Sequence, residues 1–219
     1  MKELYVHCSS HSFKLGVSDV CSLQSVRNFV GTLKSTCDYF GTPKRQNVLK
    51  TEILSDNNLS AKSHRLVKMY PTRWGERHDS VIQCMDLLSP TVAALEKISE
   101  WENGDTSSAA ARLKQSICTV GFQVCLRVTA QVLSICLPLS RQLQTKNLDL
   151  AGALHRAAEA EESLQHLSNE ADAGFRKIFN QVSKACEDFG IDANAANTRR
   201  ISRRQVHRAN MPAESVEEY

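Results

Sequence analysis

Apolar residues recur at helical intervals along most of this chain. Val26, Phe29, Val30, Leu33, Cys37 and Phe40 step by three and four residues, which predicts a helix over 24–40 that Gly41-Thr42-Pro43 closes. Residues 44–54 read as a further short helix, and the polar 55–63 (SDNNLSAKS) as a surface loop. The beginning is patterned differently. Leu4 and Val6 alternate within 3–8, which predicts a short strand, followed by a short helix over 11–21. A lone strand cannot satisfy its ladder hydrogen bonds, and little else here has period two, so the chain is expected to be part of a larger fold.

Beyond residue 76 every pattern is helical. Val81, Ile82, Met85 and Leu88 define a helix over 77–88, and Ser89-Pro90 supplies a cap and a first-turn proline for a second helix that runs to about Trp101. Asn103-Gly104-Asp105 breaks it. Asp105 or Thr106 then caps one long segment carrying Leu113, Ile117, Val120, Val124, Val128, Val132 and Ile135, which Pro138 should kink or stop. Over 148–189, Leu164, Leu167, Ala171, Phe175, Ile178, Val182, Cys186 and Phe189 trace one amphipathic stripe closed by Gly190. This half is expected to form an antiparallel helical bundle. The character changes at Asp192: Thr198 to Arg208 is a basic run and Met211 to Tyr219 is acidic.

Composition adds limits. A chain of 219 residues can bury a core in one or two domains. The formal net charge of +3 leaves acids and bases nearly balanced, so the total does not demand nucleic acid. Eight cysteines without a repeated C-x-x-C spacing, several on apolar helical stripes, suit a reducing compartment and behave as small hydrophobes. Met1-Lys2-Glu3 does not open a signal peptide, and no uninterrupted apolar run approaches about 18 residues, so neither secretion nor membrane insertion is expected.

The candidate chemistry gathers at Met69-Tyr70-Pro71-Thr72-Arg73-Trp74-Gly75-Glu76-Arg77-His78-Asp79. Pro71 favours an extended or turn segment before the next helix. An indole beside guanidinium groups can stack on an unpaired base while the arginines hold phosphate. The same residues also suit a buried tryptophan with a solvated arginine rim. In the tail, Arg199, Arg200, Arg203 and Arg204 could serve nuclear import or phosphate contact, or simply form a solvated arm, and Arg199-Arg200-Ile201-Ser202 fits a basophilic kinase site. Cys8 and His11 have a ligand-like interval with His7 beside them, but no second pair follows to close a zinc site.

Thr72-Arg73-Trp74 with Arg77-His78-Asp79, preceded by His7-Cys8-Ser9-Ser10-His11-Ser12-Phe13-Lys14-Leu15, resembles the central part of an hAT-superfamily transposase. It is similar in particular to the animal domesticated copies of the kinase-inhibitor-repressor-like and zinc finger MYM-type-like group. The resemblance implies a mainly α protein in which a helical insertion domain (69–191) is attached to a small incomplete piece of an RNase H-like α/β fold (1–68), with 192–219 as a tail. The family's enzymes hold Mg or Mn with two aspartates and a glutamate. The resemblance puts the first two upstream of Cys8 and the third on a helix beyond this chain's end. No catalytic acid is therefore carried over, and Asp19, Asp79 and Asp105 keep cap or surface roles. It also implies that Arg73 and Trp74 steady a flipped base, with Arg77 and the tail arginines as further DNA contacts, and that Cys8 and His11 support the pocket. The expectation is a truncated nuclear protein, inactive as an enzyme and without cofactor or metal, that retains weak binding to distorted or single-stranded DNA ends. The alternatives are a helical module that docks on a full-length relative or another helical protein, and a non-functional transposon remnant.

Overall fold

The computed structural model describes residues 23–56, 65–69, 74–145 and 149–190, the side chains of 74–77 excepted. The expected strand at 3–8 and helix at 11–21 lie outside these residues, as do Cys8, His11, Arg73 and the tail arginines. Among the described residues the protein is mainly helical, with no strand. The eight helices are α1 (Gln24–Tyr39), α2 (Pro43–Ser55), α3 (Trp74–Asp86), α4 (Leu88–Ser99), α5 (Gly104–Ile117), α6 (Val120–Gln142), α7 (Leu150–Asn169) and α8 (Ala171–Asp188).

Helix α6 is the hub, packed on by α1, α3, α7 and α8, while α4 packs against α2 and α5. One core cluster joins Phe29 and Leu33 of α1, Leu49 and Ile53 of α2, Val81 and Cys84 of α3, Leu95 and Ile98 of α4, Ile117 of α5 and Leu126 and Leu133 of α6. Met69 belongs to it, and the Val67 N–H donates to Gln83 Oε1 at 2.5 Å, which ties 66–69 to α3. At the periphery the Tyr39 hydroxyl donates to the Thr106 carbonyl at 2.9 Å, and Lys44 and Arg45 cover the rings of Trp101 and Tyr39. Glu52, almost buried, accepts from Lys97 Nζ at 2.8 Å and so fixes α2 on α4.

Several expected boundaries are corrected. Helix α3 starts at Trp74 rather than 77, and Leu87 alone separates it from α4. Leu87 N–H bonds to Gln83 O and Thr91 N–H to Leu87 O, so the chain turns with almost no loss of helical bonding. Ser89 is therefore inside α4, not its cap. Pro90 is the helix's third residue, where an N–H would have no helical acceptor anyway. The cap of α5 is Asn103, whose side chain accepts from Thr106 N–H at 3.0 Å, rather than Asp105 or Thr106.

The expected long segment over 105–138 is two helices. Thr119 is extended (φ −91°, ψ 146°) and its hydroxyl accepts from Phe122 N–H at 3.2 Å, which starts α6 afresh. Pro138 does not stop α6, which continues to Gln142 because Leu139 and Ser140 just beyond it are buried. Tertiary packing outweighs the one backbone bond that proline removes. The stripe over 148–189 is likewise divided at Glu170, although Glu170 N–H still reaches His166 O at 3.0 Å and Gly174 N–H reaches Glu170 O at 2.9 Å. Gly190 closes α8 as expected, at φ +66°.

Helix α6 is long and apolar enough to cross a membrane by length and composition, with a mean hydropathy of 1.6 over its best window. In this structure it carries the wholly buried Gln123 and the half-buried Arg127, and α1, α3, α5, α7 and α8 pack against it.

Candidate functional site

Three places in the fold hold groups that could act, and the seam at α3 is the first. Trp74 and Arg77 share the opening turn of α3, at one end of the bundle. One step on, His78 Nδ1 lies 3.1 Å from Asp79 Oδ1, and its Nε2 lies 3.3 Å from Ser134 Oγ on α6. Arg141, near the end of α6, reaches the same Asp79 at 3.9 Å. The opening of α3 therefore sits by the end of α6, and the beginning of α7 joins them. Among the residues lining an open groove of about 690 Å³ here are Arg141, Asp149, His155, Arg156 and Glu159. A Cβ on Gly152 would meet only side-chain ends, Asp149 Oδ2 at 2.5 Å and Gln142 Nε2 at 2.7 Å, both of which can swing aside. The two arginines are matched by Asp79, Asp149 and Glu159, which leaves the groove without a strong positive field. Asp79 lies on the surface as expected, whereas Asp105 sits in the first turn of α5 rather than at its cap.

The thiols form the second set. Cys37, Cys84, Cys136 and Cys186 are buried, Cys118 and Cys125 partly so, and all six are unpaired. Burial is the first cause that pushes each of them up. Asp38 adds to it for Cys37, which reaches about 12, and for Cys84 the neighbouring Cys37 does the same. Neutral thiols of this kind are poor nucleophiles and poor metal ligands. Among the described residues no group of three His, Cys, Asp or Glu side chains could hold a metal ion.

The third place was not singled out by sequence reasoning. Helices α7 and α8 form an arm along α6 that is held at its two ends. Ala153 and Ala160 are buried near its start, and Val182 and Cys186 pack with Ile178 against Val120 and Val124 near its finish. From Glu161 to Gln181 no side chain is fully buried: Leu164, Leu167, Ile178 and Phe179 are half-buried and Phe175 is exposed. Leu150 and Leu154 are about two-thirds exposed at 66% and 65%, and Phe175 is 38% exposed. The rings of Phe175 and Phe179 stack with centroids 6.0 Å apart on one flank. The sequence signal was present in the apolar stripe itself. What it could not tell was that only part of the stripe would find a neighbour.

No family model matches this sequence, and no solved structure matches the fold.

Proposed function

We propose that this protein is a helical interaction module that engages another protein through the α7–α8 arm. The observation that carries the reading is the helical 161–181, which buries no side chain fully and displays a stacked phenylalanine pair with Phe175 exposed. Short helices are marginal in water without tertiary packing, and an amphipathic helix normally covers its apolar side. A partner laid on this flank would supply that cover, as a helix laid into a groove does elsewhere. A photo-crosslinking residue substituted for Phe175 should give discrete protein adducts, and the same residue substituted for the exposed Lys50 on α2 should not. Equal labelling from both positions contradicts the reading.

A second reading keeps the transposase-derived origin and a nucleic-acid role. Its support is that Trp74 and Arg77 fall in one helical turn at the start of α3. In this reading the indole stacks on an unpaired base and the guanidinium groups hold phosphate, in the nucleus and without strand cleavage. Binding of hairpin or single-stranded DNA should then weaken as salt rises, and Trp74→Ala should weaken it about ten-fold or more, in keeping with roughly 1–3 kcal/mol per stacked base. Binding that ignores both salt and Trp74→Ala removes this reading.

A further inference from the structure

We infer that the basic run of the tail, Thr198 to Arg208, docks within its own chain on α7, with its apolar side chains in the groove between α6 and α7. This groove of about 370 Å³ is lined by Cys136 and Leu139 of α6 and by Ala157, Ala160 and Leu164 of α7. Leu150 and Leu154 continue the α7 side at steps of four and three residues, and both are exposed. Glu161 is the one charged residue among those that line it. The groove is separate from the Phe175 flank, so the inference stands or falls independently of the partner proposed there.

Charge selects the occupant. Between 157 and 175 the chain carries Glu159, Glu161, Glu162, Glu170 and Asp172 with no lysine or arginine. His155 and Arg156 lie beside Glu159, and His166 beside Glu170, which leaves Glu161, Glu162 and Asp172 without a basic side chain in ion-pair reach among the described residues. The acids near α4 differ, since Lys97 reaches Glu52 and Lys114 reaches Glu96. The tail supplies the complement: Arg199, Arg200, Arg203, Arg204 and Arg208 without an acid, and Ile201 and Val206 among them to fill the groove. The tether also suffices. Val182 and Cys186 hold the end of α8 beside Val120 and Val124, and about 24 Å of helix separates Val120 from Cys136. Ile201 stands eleven residues beyond Gly190, and that many extended residues span about 36 Å. Glu187 and Asp188 lie on this route and add to the attraction, while Lys184 offsets one of them. A tethered segment within reach of its site acts at roughly millimolar effective concentration, which favours it over a free partner of the same chemistry. Phosphate on Ser202 would set negative charge among these carboxylates and release the run.

The test places benzoylphenylalanine at position 201 of the full chain and maps its photo-crosslinks by mass spectrometry. At low salt the label should join peptides from 136–143 or 150–165 within one chain, so the product keeps the 24.4 kDa mass and its yield does not change on dilution. The yield should fall several-fold in about 1 M salt, where the screening length is about 3 Å. Glu161→Arg with Glu162→Arg should cut it about ten-fold, because two attractions become repulsions, and Ser202→Glu should lower it in the same direction. Adding Arg200→Glu and Arg203→Glu to the Glu161→Arg, Glu162→Arg chain should restore it. Circular dichroism checks that each variant keeps its helical content. Crosslinks that fall elsewhere, or that ignore both salt and the reversals, overturn the inference. Products only at twice the mass give the groove to a second copy and overturn it as well.

Discussion

Gln123→Leu is expected to destabilise the protein by about 2–4 kcal/mol, a large effect for a change of nearly equal volume. Gln123 has no exposed surface, and it holds the α5–α6 junction together with both ends of its amide. Its Nε2 donates to the Ile117 carbonyl at 2.8 Å, one of the carbonyls left over where α5 ends. Its Oε1 accepts from Arg127 Nη1 at 2.8 Å, while the same nitrogen reaches the Gln123 carbonyl at 3.2 Å. Burial already pulls the Arg127 pKa below its ordinary value, so the guanidinium is poorly hydrated and depends on its acceptors. Leucine would fill the space but leave a buried carbonyl and a partly buried cation short of partners. Arg127→Met added to Gln123→Leu should recover part of the loss. Urea denaturation of the two variants measures both effects, and a double variant less stable than the single one contradicts this account of the junction.

Leu126→Ala is expected to cost about 2–5 kcal/mol, through lost apolar burial and the cavity left behind. Leu126 is completely buried on the hub helix, in the same cluster as Phe29, Leu95 and Ile117. A matching truncation on the arm, Leu154→Ala, should lie within about 0.5 kcal/mol of wild type because Leu154 is mostly in water. The contrast between two leucine truncations, read as denaturation midpoints at unchanged slope, separates the bundle from its arm.

Much of this architecture was legible in the order of residues. The apolar spacing of Phe29, Leu33 and Cys37 placed α1 almost to the residue, and Gly190 marked the end of α8, because helical periodicity and left-handed caps are local properties. The misses have physical causes too. The α5–α6 break falls in Ile117-Cys118-Thr119-Val120-Gly121, five successive residues of modest or poor helix propensity, a signal that apolar periodicity hides when the stripe continues across it. Pro138 was expected to kink or stop the helix, and it does not stop it, because the packing of the last turn of α6 carries the helix past it. The stripe from Leu164 to Phe189 was visible as a face, but whether a face is covered depends on the path of neighbouring elements. The role given to Trp74 came from motif order. The structure contributes its place in the opening turn of α3.

Amide hydrogen exchange on the dilute purified protein tests the central claim most directly. The account predicts that α6 is strongly protected. It predicts that 161–181 exchanges much faster than α6. An arm as well protected as α6 would show that its apolar flank needs no partner, and would contradict the account.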